Sequence, residues 1–243
     1  SSAASDVYKR QEEMSYFVIS DGKTFTKFNT AQDHKRVGEG DKGKNTGGMG
    51  AYSPSGLINK ELDLKIIETV IKPTFQAIKD MDETYKGFLY VGLMIRDNNP
   101  YLVEYNVRMG DPECQTILPL LDTDLLELML SCCEENLENQ TINWSDKKSM
   151  CIVLCSNGYP DTYKKNIEIP NLDKITSNNN TFIYHAGTKM IDNKVYATGG
   201  RVLNFVSISD DLKKSRESVI HEIENLNWEN GFYRKDIGFR IID

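Results

Sequence analysis

Residues 101–115 read YLVEYNVRMGDPECQ, and they bring two kinds of oxygen donor and a cation to a spacing that an ordinary strand does not require. As a β-strand the stretch alternates, with Leu102, Glu104, Asn106 and Arg108 on one face and Tyr101, Val103, Tyr105 and Val107 on the other. The aromatic and β-branched face is expected to be buried. The other face carries a carboxylate, an amide oxygen and a guanidinium in a row, followed by Gly110, Asp111, Pro112 and Glu113. Mg²⁺ takes a few hard oxygen ligands from a protein and leaves its other positions to water and nucleotide phosphates, which a Glu-x-Asn pair suits. Arg108 adds a planar donor fork for phosphate. The chemistry implied is a metal and nucleotide-phosphate site. The plainer alternative is a half-exposed strand on which Glu104 and Arg108 pair at the surface.

The elements that must position these residues can be read on either side. Gly87–Ile95, GFLYVGLMI, is an apolar strand that turns at Asp97-Asn98-Asn99-Pro100 into the candidate strand. Upstream, apolar residues from Met14 run into Asp21-Gly22 and resume at Phe25 and Phe28, which predicts a hairpin. Then Asp33-His34-Lys35-Arg36 leads into a segment with glycines at 38, 40, 43, 47, 48 and 50. So many glycines cost entropy on ordering and make sense where backbone approaches a ligand or takes positive φ. Lys35 and Arg36 at its entrance favour an anionic ligand, although the spacing matches neither G-x-G-x-x-G nor a P-loop. Of the histidines, His34 has the best neighbours for a functional role; His185 and His221 read as structural.

A helix is predicted over Asn59–Met81, with Leu62, Ile66, Val70 and Ile78 facing the core and a kink at Pro73. A second is expected from Asp124 to about Asn139, capped by Thr123 and packed through Leu125, Leu128, Met129 and Cys132. The polar stretch 143–148 marks a domain boundary. Beyond it come short strands at Met150–Cys155, Phe182–His185, Lys194–Ala197 and Arg201–Val206, and a last helix over Asp211–Asn225.

With 243 residues, 39% of them hydrophobic, the chain can bury a sizeable core. Its 29 Lys plus Arg against 36 Asp plus Glu give a net charge of −7, which argues against general nucleic-acid binding. The longest apolar run, Met150–Cys155, is far short of the ~20 residues of a membrane span. Cys114, Cys132, Cys133, Cys151 and Cys155 are odd in number and lack a C-x-x-C pair, so reduced, mostly buried thiols are expected rather than a disulfide framework or zinc site. Residues 1–11 show no apolar period and are set aside as a non-native leader.

Three blocks carry a family resemblance: DHKRVGEGDKGKNTGGMGAYSP (33–54), GFLYVGLMIRDNNPYLVEYNVRMGDPECQTILPLL (87–121), and YHAGTK (184–189) with GGRVLNF (199–205). They closely resemble the phosphoribosylamine–glycine ligases, or glycinamide ribonucleotide synthetases, and the resemblance runs from about Glu12 to Asp243. It implies an α+β chain: the C-terminal part of an ATP-grasp domain over 12–147, followed by a small α+β C-terminal domain over 148–243. It also implies a cytoplasmic, monomeric enzyme of purine biosynthesis. Such an enzyme joins glycine to 5-phosphoribosylamine with ATP and Mg²⁺ or Mn²⁺, through a glycyl phosphate, and engages neither nucleic acid nor membrane.

Carried over residue by residue, the resemblance puts the metal ligands on Glu104 and Asn106 and a phosphate contact on Arg108. Asp111 is placed at the amine of glycine or phosphoribosylamine, and Glu13 at the nucleotide ribose. Asn45, Thr46, Gly47 and Gly48 fall in the loop that closes over the substrates, with Lys35 and Arg36 at its entrance. The family's preATP-grasp domain and its phosphate flap have no counterpart in these residues, so the 243-residue chain alone is expected to bind ATP weakly and turn over negligibly. Two alternatives remain: an ATP-grasp ligase with another amine acceptor, and a non-catalytic binding module.

Overall fold

The computed structural model of the protein describes residues 12–175 and 180–242; the expected leader at 1–11 lies outside them. In chain order the strands are β1 (Glu12–Asp21), β2 (Phe25–Asp33), β3 (Arg36–Gly38), β4 (Lys42–Asn45), β5 (Gly50–Ser53), β6 (Lys86–Arg96) and β7 (Asn99–Asn106). Then follow β8 (Lys148–Ser156), β9 (Ile167–Glu168), β10 (Thr181–His185), β11 (Thr188–Ile191), β12 (Lys194–Ala197), β13 (Arg201–Ser209) and β14 (Gly231–Phe232). They belong to two compact units. The first comprises residues up to Gln32 with Pro54–Gly110 and Leu121–Ser145; the second comprises Asp33–Ser53, Asp111–Leu120 and everything from Asp146.

The first unit is an antiparallel sheet in which β1 lies between β2 and β6, and β7 pairs with β6. The β1–β2 turn follows from Asp21, whose Oδ1 accepts from Lys23 N at 2.9 Å and Thr24 N at 2.7 Å, while Gly22 supplies φ +90°. One face of this sheet carries Met14, Tyr16 and Val18 of β1 and Leu89, Val91, Leu93 and Ile95 of β6, packed on Leu62, Ile66, Val70 and Ile71. Each such aliphatic side chain contributes about 1.5–3 kcal/mol on burial.

The covering helix starts at Asn59, whose side chain accepts from Leu62 N at 2.9 Å. The expected kink takes a different form: Ile67–Ile71 widen into a π turn, with Lys72 N–H bonded to Ile67 O, before α-helix resumes over Lys72–Asp80. Pro73 brings no N–H to the ladder, so widening the turn ahead of it accommodates the break. Ile78, expected in the core, is half-buried.

The helix after Leu120 runs Leu125–Cys133 and is capped by Asp124, not Thr123: Asp124 Oδ1 accepts from Leu126 N and Glu127 N. Thr123 Oγ1 instead accepts from Asn143 N at 2.8 Å. Leu128 and Cys132 pack as expected, but Met129 is exposed, because the helix is short and presents only one narrow stripe.

In the second unit β13 pairs with β8 and β10, and β8 also pairs with β5 and β14. Separate ribbons form from β9, β12 and β11 and from the β3–β4 hairpin. β8 is buried along almost its whole length, which is why MCIVLC reads as an unbroken apolar run. The helix Leu212–Leu226 buries Leu212, Val219, Ile223 and Leu226; Asp211 caps it by accepting from Lys213 N at 2.7 Å. All five cysteines are free thiols. No helix among the described residues is long and apolar enough to cross a membrane.

Candidate active site

The candidate residues fall into two groups, one in each unit. In the first unit, Glu104 and Asn106 stand side by side on β7, with Asn106 Nδ2 3.4 Å from Glu104 Oε1. Ordinary alternation gives this placement, since Glu104 pairs with Gly92 and Asn106 with Tyr90, and a register shift lies just before them. Gly92 pairs with Glu104 but Leu93 pairs with Leu102, so Val103 is an extra residue in a bulge. Beyond the bulge the alternation is reset, which corrects the expected face: Leu102 lies opposite to Glu104 and Asn106 rather than beside them. Gly92 behind Glu104 is closely covered, since a Cβ there would sit 3.0 Å from Glu104 Cγ and 3.1 Å from the Tyr90 ring.

The aromatic face of this stretch is not buried: Tyr101, Val103, Tyr105 and Val107 are 39–75% exposed. Among the described residues β7 pairs on one side only, with β6, and the covering helix reaches it through the Thr74–Tyr105 hydroxyl contact and through Lys65 Nζ, which donates to Asn99 Oδ1 at 3.3 Å. Strand β7 ends at Asn106, so Arg108 does not extend the Glu104 face; it sits in a bend, exposed, with Nη1 donating to Met109 O at 2.9 Å. Glu13 does share the face of Glu104, because Glu13 pairs with Met94, Ser15 with Gly92, and Gly92 with Glu104.

The donor set fits a hard cation. Among the described residues no cluster of three or more His, Cys, Asp or Glu could encage a metal. One carboxylate and one amide oxygen on an exposed strand suit an ion that keeps most of its water and phosphate ligands, as Mg²⁺ does.

In the second unit the glycine-rich segment is pinned throughout. Thr46 N and Oγ1 both donate to Lys35 O, at 2.8 and 2.9 Å, Gly48 N donates to Thr46 Oγ1 at 3.0 Å, and Gly47 N donates to Tyr159 Oη at 2.9 Å. These amides are therefore spent inside the protein. Packing explains two of the glycines: Gly48 has φ +114° with a Cβ position 2.5 Å from Pro112 Cδ, and a Cβ on Gly50 would meet Cys151 O at 2.6 Å. Asn45 is exposed, Lys35 half-buried, and Arg36 Nη1 donates to Gly43 O at 2.8 Å within its own hairpin.

Asp111, half-exposed, is gripped by Arg201: Nη1 donates to Asp111 O at 2.8 Å and Oδ1 at 3.3 Å, Nη2 to Oδ2 at 3.0 Å. Arg201 Nη1 also donates to Gly47 O at 2.7 Å, and Gln115 Nε2 donates to Asp111 Oδ1 at 2.9 Å.

The β3–β4 hairpin is fastened by a buried charge cluster. Arg234, 1% exposed, donates to Asp236 through Nε and Nη2 at 2.8 Å each and through Nη1 to Asp41 Oδ1 and Arg36 O at 2.9 Å each. Burial alone would raise the Asp41 pKa, but the bonds from His34 and Arg234 outweigh it and hold the carboxyl below its usual range. Asp236 is lowered in the same way by Arg234 and Gly40 N. Burial lowers the pKa of His34, and its Nε2 accepts from Gly238 N at 3.0 Å, so the ring is neutral with its proton on Nδ1, 3.4 Å from Asp41. His34 is thus a structural member of this cluster. His185 bonds to Thr188 and His221 to Asn225.

Sequence reasoning missed Arg201, Gln115, Tyr159 and Arg234. The available signal was Gly199-Gly200 directly before Arg201: a Cβ on Gly200 would meet the Tyr159 ring at 2.2 Å, and Gly199 lies against Gly187.

Comparison with known proteins gives matches over most of the chain. Residues 7–114 match the phosphoribosylglycinamide synthetase ATP-grasp (A) domain and residues 149–240 the C domain of the same synthetase. A phosphoribosylamine–glycine ligase of Brucella melitensis is 39% identical over 96% of this chain and 54% of its own length. One from Caldanaerobacter subterraneus is 43% identical over 93% and 54%. The crystal structure of a phosphoribosylamine–glycine ligase from Thermotoga maritima superposes with a TM-score of 0.81 at 32% identity, over 93% of this chain and 55% of that one. The chain spans about half the length of the curated relatives it matches.

Proposed function

Because this chain belongs to the phosphoribosylglycinamide synthetase family, we propose that it supplies part of an ATP-dependent carbon–nitrogen ligase joining glycine to 5-phosphoribosylamine, with release of ADP and phosphate. The observation that carries this reading is the pairing of Glu104 with Gly92 and of Asn106 with Tyr90, which puts a carboxylate and an amide oxygen side by side on an exposed strand just past a bulge at Val103. Natural strands place such bulges where a side chain has to be re-aimed.

On this reading the glycine carboxylate attacks the γ-phosphate of ATP, forming glycyl phosphate and ADP. The amine of phosphoribosylamine then attacks the activated carbonyl, and phosphate leaves with the bonding electrons. Such a sequence needs positioning and charge neutralisation more than a protein nucleophile. Glu104 and Asn106 would hold Mg²⁺ or Mn²⁺, which supplies charge neutralisation at the phosphates when bound. Arg108 contributes its exposed guanidinium to phosphate, Glu13 accepts hydrogen bonds from the nucleotide ribose, and Asp111 accepts from a substrate amine. Lys35 and Arg36 offer cationic side chains to an anionic substrate, in a segment whose Thr46, Gly47 and Gly48 amides are bonded within the protein. The enzyme acts as a cytoplasmic monomer.

The test is product formation by the chain extended to the length of its relatives, wild type against Glu104→Ala. Glycinamide ribonucleotide formed only with both substrates, and lost with Glu104, is expected. ATP consumption independent of glycine, or an unaffected Glu104→Ala, would refute the assignment.

A further inference from the structure

Two side chains outside the roles assigned above converge on Asp111. Arg201 stands at the start of β13, just before a register shift at Val202, and its guanidinium is mostly buried while Asp111 is half-exposed. The fork holds both carboxylate oxygens and also Gly47 O, and Gln115 Nε2 takes Oδ1. The guanidinium packs closely on Gly47, where a Cβ would lie 3.0 Å from Arg201 Cζ. The orientation of Gln115 is set by the same contact, because reversing its amide would bring two oxygens together. Asp111 therefore cannot rotate, and the lone pairs left to it point where its exposed edge faces.

A carboxylate already neutralised by a guanidinium gains little from a second cation, yet it still accepts N–H bonds well. That separates the two amines of the proposed reaction. Free glycine carries an ammonium ion. An amine on an anomeric carbon is weakly basic, because the ring oxygen withdraws electron density, and it is uncharged near neutral pH. Attack on a carbonyl also requires the uncharged amine, with its lone pair free and its N–H bonds directed elsewhere.

Resting on the ligase reading, we propose that Arg201 and Gln115 are positioning residues that lock Asp111 as the acceptor for the neutral amine of phosphoribosylamine, not for the ammonium of glycine. Gly47 is part of the same lock, so the glycine-rich segment and the amine subsite are set by one guanidinium.

The test compares wild type with Arg201→Lys and Gln115→Leu. Lysine keeps the charge and loses the fork; leucine keeps the volume and leaves Gly47 and the sheet untouched. In the chain extended to its relatives' length, both variants should raise KM for phosphoribosylamine about tenfold or more while KM for glycine and for ATP stays within about twofold. An equal rise in KM for glycine overturns the proposal, as does a fall in kcat with every KM unchanged. In the 243-residue chain, Arg201→Lys should speed amide hydrogen exchange by about tenfold at Gly48, whose N–H shares a peptide group with the Gly47 carbonyl that Arg201 holds. Unchanged exchange overturns the lock, and this readout decides it even if the extended wild type makes no glycinamide product, a result that would count against the ligase reading alone.

Discussion

Replacing Arg234 by methionine removes the cation at the centre of a buried cluster while keeping most of the side-chain volume. Asp41 and Asp236 would then lose their shared partner although they remain only 22% and 18% exposed. Breaking a buried pair from one side typically costs about 3–5 kcal/mol. The lower end applies here, because Arg240 Nη2 still reaches Asp41 Oδ2 at 2.7 Å and some water reaches both acids. At an m-value of about 1–3 kcal/mol/M in urea, a loss of about 3 kcal/mol lowers the midpoint by roughly 1–3 M.

The two tryptophans allow the transition to be followed locally. Trp228 belongs to the second unit and Trp144 to the first, so a Trp144→Phe background leaves Trp228 fluorescence as the reporter. If the cost arises from abandoned charge, adding Asp41→Asn to Arg234→Met should restore part of the stability. The pH dependence has a definite sign. Asp41 and Asp236 have lowered pKa values in the fold, so their contribution is complete above the ordinary carboxylate value of about 3.9 and is lost as pH falls below it. The gap between wild type and Arg234→Met should therefore narrow toward pH 3. A midpoint shift under about 0.3 M at pH 7, or a double variant less stable than Arg234→Met, would refute the reasoning.

Gly92→Ala would push Glu104 and the buried Tyr90 ring aside by a few tenths of an ångström, since the added methyl lies 3.0 Å from Glu104 Cγ and 3.1 Å from the Tyr90 ring. In the extended chain the Mg²⁺ concentration for half-maximal ligation should rise about 10-fold; an unaltered Mg²⁺ dependence would show that Glu104 is not held by this contact. His34 is kept neutral, with a pKa lowered from 6.5, so its contribution to the second unit is complete above pH 6.5 and declines as pH drops through the lowered value. Chemical denaturation from pH 7.5 to 5 should show that decline in wild type and a flatter profile in His34→Gln; parallel profiles would count against a neutral buried imidazole.

The local rules written into the sequence were largely legible, and the failures have identifiable causes. Alternation in YLVEYNV singled out Glu104 and Asn106, and the two do stand together. It could not show the bulge at Val103, which depends on how β7 registers against β6, so Leu102 was assigned to the wrong face. Burial of Tyr101, Val103, Tyr105 and Val107 was inferred from apolarity, but burial needs something on the other side, and β7 has one neighbouring strand. The cap at Asp124 in place of Thr123 was a one-residue choice between two good capping side chains. Arg201 was out of reach for another reason: its partners Gly47 and Asp111 are far from it in sequence, and no periodicity connects them. The glycines of 38–50 were read as marking positive φ or approach to a ligand: Gly40, Gly43 and Gly48 do take positive φ, while at Gly47, Gly48 and Gly50 the approaching atoms belong to Arg201, Pro112 and Cys151 of the protein itself.

The pairing of β5 with β8 has a consequence for how the chain comes to be folded. Gly50–Ser53 are made before their partners Ser149–Ile152, which emerge from the ribosome only after the helices and strands of the first unit have been synthesised. Arg234, which fastens the hairpin just upstream of β5, arrives later still. During synthesis the glycine-rich segment has its own β3–β4 pairing but waits for β8, and the many residues between β5 and β8 make that closure a slow, non-local step. Its scarcity of large apolar side chains suits that interval, since an exposed run of glycine, lysine and aspartate offers little for a neighbouring nascent chain to adhere to.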